Sequence, residues 1–163
     1  MAESSSTFIE EGSEAEIQIV VFNMGDEEYG VDIHEVREII KLTEITKVPR
    51  APEFIEGVIN LRGQITPIMD LRKRLGLQIT EATDDNTRII ISEFGGSTAG
   101  MIVDSVTEVL RLSEKNIDTA PSVSKSTDGG VIKGVGKIDD RLLILLDFNT
   151  LLSQNEAREL GSA

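Results

Sequence analysis

Apolar positions along this chain come in short β-branched runs cut by glycine. Ile17 to Phe22 is one run, Met24-Gly25-Asp26 follows as a turn, and a second run ends near Ile33. The same grammar returns at Ile89 to Ile91, then Phe94-Gly95-Gly96, then a run ending near Val103. Runs of this length and composition, bounded by turn residues, predict two β-hairpins. Behind each hairpin stands a second pattern. Ile33-x-x-Val36-x-x-Ile39-Ile40 is echoed by Val103-x-x-Val106-x-x-Val109-Leu110. That spacing fits a helical turn leading into a strand, and periodicity alone leaves helix and strand open.

Further along, Val48-Pro49-Arg50-Ala51-Pro52 breaks the pattern, and Glu53-Phe54-Ile55 reads as one short helical turn. Ile59 to Ile65 is strand, Gly63-containing turn and strand, continued by Pro67 to Leu71, where the proline limits ladder bonding. Leu142 to Leu146 is an unbroken apolar run and predicts a strand buried on both faces. Asp70 to Leu75, ended by Gly76, has the acidic start, basic last turn and glycine stop of a short helix. Phe148 to Leu160 predicts a terminal helix, and residues 122–130 a mobile polar loop.

The chain also repeats itself. Residues 17–44 laid on 87–114 match at Ile19/Ile89, Gly25/Gly95, Gly30/Gly100, Val36/Val106, Glu38/Glu108, Leu42/Leu112 and Glu44/Glu114. After a small shift, Ile45 and Pro49 fall on Ile117 and Pro121. After another, Gly57, Val58, Asp70 and Leu75 fall on Gly134, Val135, Asp147 and Leu152. Two copies of one supersecondary unit are implied, about 17–82 and 86–152, with residues 1–16 a flexible tail and 153–163 a terminal helix or tail. Units of this size, each with about five short strands, are too small for sandwiches. Two small closed barrels are predicted, since closure removes edge strands. The fold class is mainly β.

Composition narrows the chemistry. The 163 residues contain no cysteine, one histidine and a net charge of −13. Disulfides, thiolate metal sites and cysteine nucleophiles are excluded, and a histidine-rich metal site is impossible. So acidic a chain repels phosphate backbones, which argues against nucleic acid as a partner. No apolar run approaches the about 18 residues of a membrane span, and no secretory leader is recognisable near Met1. A cytoplasmic protein that does not insert in the membrane is expected.

Individual candidates mostly fall away. His34, in Asp32-Ile33-His34-Glu35, could be a general base beside a carboxylate. Its repeat equivalent is Asp104, so the scaffold does not require an imidazole. Gly134-Val135-Gly136-Lys137 hints at a phosphate loop, but Val135 stands where the motif needs lysine, and a hairpin turn explains the glycines. Asp84-Asp85-Asn86 lacks the rest of a calcium loop and reads as a linker. Asp139-Asp140-Arg141 reads as a hairpin tip. Arg72-Lys73-Arg74 is either a docking spot for acidic partners or ordinary charge at a helix C-terminus. Arg62, at the tip of Asn60 to Gly63, is a candidate contact residue, because arginine is enriched at interface hot spots. Val20, Ile33, Val36, Ile39 and Val106 are core residues or the lining of a groove between the two units, suited to an amphipathic helix. No nucleophile, base, metal cage or cofactor loop survives, so a non-enzymatic binding module without cofactors is predicted.

These residues resemble a known family. Val20 to Ile33 (VVFNMGDEEYGVDI), Val36-x-Glu38-Ile39, Val48-Pro49, Phe54-Ile55-x-Gly57-Val58-Ile59-Asn60-Leu61-Arg62-Gly63, Pro67-Ile68-x-Asp70-Leu71-Arg72 and Asp104-x-Val106-x-x-Val109-Leu110 are similar to the chemotaxis coupling protein CheW. The resemblance covers about 17–152. It implies two SH3-like five-stranded barrels around a shared core, and an adaptor without catalysis. That adaptor bridges the cytoplasmic tip of a chemoreceptor to the regulatory domain of the histidine kinase CheA, at the inner face of the membrane. Carried over by motif, the receptor groove is Val20, Ile33, Val36, Ile39, Arg62 and Val106, with Gly57 and Val58 nearby. The kinase faces lie elsewhere and include Asp118 and Val123. An alternative within the family is a chemotaxis-like pathway with another output, such as pilus motility. A remote alternative is a ligand-binding β-barrel.

Overall fold

The first strand shows how the core is organised. Ile19 and Val21 belong to one buried cluster, while Val20 and Phe22 belong to another. A strand buried on both faces reads as a continuous apolar run, and that is why Ile19 to Phe22 carries no polar residue. In this computed structural model, which describes residues 15–53, 55–77, 85–94, 96–119 and 131–155, the strands make two sheets.

The elements are β1 (Glu16–Met24), β2 (Glu27–Asp32), a 3-10 turn (Ile33–Glu35), β3 (Glu38–Lys41), β4 (Ile55–Leu61), β5 (Gln64–Asp70) and α1 (Leu71–Arg74). Then follow β6 (Arg88–Phe94), β7 (Ser97–Val103), β8 (Ser105–Ser113), a 3-10 turn (Glu114–Asn116), β9 (Ile117–Asp118), β10 (Ile132–Ile138), β11 (Arg141–Leu146) and α2 (Phe148–Asn155). The first sheet has the order β8-β1-β2-β11-β10-β9, and the second β3-β6-β7-β5-β4. The mainly β class is as predicted.

The two sequence halves do not fold apart, which corrects the expectation of one barrel per half. The β1–β2 hairpin joins β8 on one side, antiparallel, and β11 on the other, parallel. The β6–β7 hairpin likewise joins β3 antiparallel and β5 parallel. Each half therefore donates its hairpin to the other half's sheet. The physical reason lies in the clusters. Ile19, Val21, Leu112, Leu143 and Leu145 fill the inside of the first sheet, and Ile59, Ile68, Ile89, Ile91 and Ile102 the inside of the second. Each cluster draws on both halves of the chain. A third cluster lies between the sheets. There Val20, Phe22, Tyr29 and Val31 meet Met69, Ile90, Met101 and Val103, with Phe148 and Leu151 of α2.

Other expectations shift locally. The Ile33 to Ile40 pattern resolves into both alternatives, a 3-10 turn and then β3, whereas its echo runs from the end of β7 at Val103 through a bend at Asp104 straight into β8. Glu16 is already in β1, paired with Ser113, one residue inside the expected tail. Ile55 opens β4 rather than closing a helical turn. Gly134 to Lys137 is the middle of β10, not a hairpin turn. Leu142 is 60% exposed and Ile144 half-buried, so the Leu142 to Leu146 run is buried on both faces only at Leu145 and Leu146, where the hairpin has left its tip. The loop at 122–130 and residues beyond Asn155 lie outside the described residues.

Candidate functional site

The residues predicted to line a groove separate into three environments. Val20 is 1% exposed within the inter-sheet cluster, so its side chain offers no surface to a partner, which corrects its assignment to the groove lining. Ile33, Val36 and Val106 are half-buried and pack against the same cluster from its rim. Ile39, in β3, is one of the large apolar side chains left exposed, at 38%. Val36 and Ile39 thus lie on one stretch of chain that passes from core rim to surface.

The local structure of that stretch is well determined by bonding. The Asp32 carboxylate accepts from the His34 amide at 2.9 Å and caps the 3-10 turn. The Val36 amide closes the turn on the Ile33 carbonyl at 3.1 Å, and the Arg37 amide donates to the Ile91 carbonyl at 2.7 Å. His34 also reaches the Asp32 carboxylate through Nδ1 at 2.9 Å, but the ring is solvent-exposed. Its only described side-chain partner is that carboxylate, so the pair has no nucleophile to activate among the described residues.

Arg62 is brought to this stretch. It sits at the β4–β5 tip with a φ of 51°, and the turn is closed by the Gly63 amide on the Asn60 side chain at 2.8 Å. Its guanidinium forms a two-pronged ion pair with Glu38, next to Ile39, with one prong (Nη1 to Oε1) at 3.3 Å. This contact holds the Glu38 carboxyl below its ordinary range and raises the guanidinium further. The site is therefore a half-buried Val36, an exposed Ile39, and an arginine fork fixed beside them by Glu38.

Gly57 and Val58 act from behind. Val58 exchanges both backbone bonds with Thr46 at 2.9 Å. Gly57 has a φ of 148°, and a Cβ on it would stand 2.1 Å from the Thr46 carbonyl oxygen. Only glycine lets the 45–46 segment cross there. The repeat-equivalent Gly134 faces the Asp118 carbonyl in the same way, at 2.8 Å. Asp118 is exposed in β9, which pairs with β10, and it lines an open cleft of about 940 Å³ with Lys115, Ile117, Val135, Lys137 and Leu142. Val123 lies outside the described residues.

Two networks were not legible as such. Arg72, expected at a docking spot or as simple helix-end charge, is buried. Its Nε and Nη2 bond the Asp70 carboxylate at 2.9 Å each, and its Nη1 bonds Asp104 at 3.0 Å. Asp104 also accepts from the Gly25 amide at 2.8 Å, so one carboxylate ties α1 to the β1–β2 turn. At the β10–β11 tip, Arg141 bonds Glu28 at 3.0 Å and Glu108 at 2.7 Å. Glu108 is the equivalent of Glu38. That identity in the repeat was the available signal: in both halves a tip arginine is latched to the same edge-strand glutamate.

Comparison with known proteins identifies the family. The CheW-like domain family matches residues 18–156. The chemotaxis protein CheW of Klebsiella aerogenes is 40% identical over 139 residues, covering 85% of this chain and 83% of its own. That of Bacillus subtilis is 39% identical over 86% of this chain and 90% of its own. Among solved structures, the scaffolding protein TtCheW from Thermoanaerobacter tengcongensis superposes with a TM-score of 0.75 at 44% identity, covering 82% of this chain and 90% of that one. A family match over most of the chain, a close superposition and identities at this level over most of both chains leave one assignment: the chain belongs to the CheW-like domain family.

Proposed function

We propose that this chain is a non-enzymatic adaptor that couples chemoreceptors to the histidine kinase CheA in the cytoplasm. The observation that carries the reading is the Val36–Ile39 stretch with Arg62 latched beside it by Glu38. An exposed apolar side chain, a half-buried one on the same stretch and a guanidinium held by Glu38 suit one face of a helix: apolar contacts for its anchors, and the N–H groups that the Glu38 pair leaves over for a carbonyl or carboxylate on it. The receptor tip is that helix. The kinase regulatory domain docks away from this stretch, and the Asp118 cleft is the face assigned to it. No helix among the described residues is long and apolar enough to cross a membrane. Contact with the membrane then comes through the receptor.

The test is a reconstitution with a receptor cytoplasmic fragment and the CheA regulatory domain. A ternary complex is expected, with each partner also binding alone. Competition between the two partners for this chain would overturn the two-face assignment, and binding of neither would overturn the adaptor reading.

A further inference from the structure

The repeat places Asp70 before α1 and Asp147 before α2, yet the two helices start differently. Asp147 bonds Thr150 twice, accepting from its amide at 3.1 Å and its hydroxyl at 2.9 Å. The first two amides of α2 remain, and helix starts leave such donors without an internal partner. Glu35 takes them. Its Oε1 accepts from the Phe148 amide at 2.8 Å and the Asn149 amide at 3.3 Å, across more than a hundred residues of sequence. Glu35 is the last residue of the 3-10 turn, and Val36 follows it. Ile33 and Val36, on either side of Glu35, pack on the cluster that contains Phe148 and Leu151.

Resting on the groove reading above, we propose that Glu35 is a positioning residue for the docking site. It clamps the start of α2 to the 3-10 turn, so that the docking of α2 and the pose of Val36 rise and fall together. The cause is local. The carboxylate is the one described hydrogen-bonding link between the two elements, and the inter-sheet cluster is their shared floor. A helix partner that binds over Val36 then favours the docked α2, and by linkage a docked α2 favours that partner. The charged groups facing Glu35 are Asp147, which opposes its charge, and Lys133, which supports it.

Amide hydrogen exchange followed by NMR tests this on the full chain, alongside titration with the receptor fragment. In Glu35→Ala, the Phe148, Asn149 and Leu151 amides and the Val36 and Arg37 amides are expected to exchange faster together, by about fivefold or more, the worth of about one hydrogen bond. The β1 amides stay unchanged, and receptor affinity falls by a similar factor. Glu35→Gln keeps a side-chain carbonyl acceptor and should stay within about threefold of wild type in both readouts. Faster exchange in α2 alone, or faster exchange everywhere including β1, would overturn the proposal. So would an affinity loss that Gln does not rescue. If wild type fails to bind the receptor fragment, the adaptor reading falls, and the exchange pattern still decides whether Glu35 couples the two elements.

Discussion

Asp70 and Asp147 are equivalent positions of the repeat, and the corners they begin have diverged. At α1 the corner is closed by a buried cation. Arg72 fills the space between Asp70 and Asp104, and its guanidinium is raised first by the Asp70 bonds, against the cost of burial. At α2 the Arg72 position is the exposed Asn149, and the corner is closed by a carboxylate, Glu35, acting directly on helix amides. One corner is built of charges that neutralise one another. The other brings two carboxylates, Glu35 and Asp147, close enough to oppose each other. The first should therefore be rigid, and the second adjustable. The adjustable one adjoins Val36.

The largest expected effect tests the rigid corner. Arg72→Ala leaves Asp70 charged and buried, and breaking such a pair costs about 3–5 kcal/mol. The equivalent Asn149→Ala should stay within about 0.5 kcal/mol, as an exposed polar change. Urea unfolding of both variants measures the contrast. Equal losses would show that Arg72 is no more than helix-end charge.

A second contrast sharpens the assignment of the groove. Ile39 and Val109 are equivalent and both exposed, one on each sheet. Ile39→Asp would place an unpaired charge in a desolvated contact and weaken receptor binding by about 2–4 kcal/mol. Val109→Asp should leave receptor binding alone. Neither should move Tm much, since both side chains already meet water. Loss from Val109→Asp and not Ile39→Asp in a binding titration would place the receptor on the other sheet.

The two tip arginines come next. Arg62→Ala should weaken receptor binding by about tenfold with Tm nearly unchanged, and Arg62→Lys should recover only part, since a point charge cannot replace the fork. Arg141→Ala, at the other tip, should lower Tm slightly through Glu28 and Glu108 and leave receptor binding intact. Unfolding caused by Arg62→Ala would remove it from the interface and make the latch structural.

These contrasts also show what a sequence reveals. The hairpins and α1 were legible because glycine turns, β-branched runs and the Asp70 cap are local signals. The repeat was legible because equivalent positions keep equivalent side chains. Which copy's strands pair was not legible: Ile19 and Ile89 are interchangeable as residues, and only the filling of two clusters at once selects the exchanged arrangement. The partition of the apolar set was hidden for the same reason. Val20 and Val36 look alike as valines, yet β1 lies between two cores and Val36 on the rim of one. The burial of Arg72 is not legible from its basic run, because one of its two carboxylate partners, Asp104, lies far along the chain. Arg62 was legible as a contact candidate from its turn, though its latch to Glu38 was not.

The smallest predicted effect tests the adjustable corner. Burial first, and then the neighbouring Asp147, raise the Glu35 carboxyl above its ordinary range in the folded state. In the unfolded chain it titrates near about 4.3. A group raised on folding contributes stability that is complete below its unfolded value and is lost as pH rises through its folded value. At neutral pH, then, the charged Glu35 destabilises the fold relative to its protonated form. Glu35→Gln keeps an acceptor for the Phe148 amide without that charge. Its stability relative to wild type should increase between pH 4 and pH 7, by no more than about 1 kcal/mol, because the group is only half-buried and screened. Asn149→Ala, which leaves both carboxylates in place, should show no such trend against wild type. Paired melts at the two pH values measure this. If the relative stability of Glu35→Gln falls as pH rises, Lys133 and the helix amides outweigh Asp147 at this corner, and it is as self-compensated as the one at Arg72.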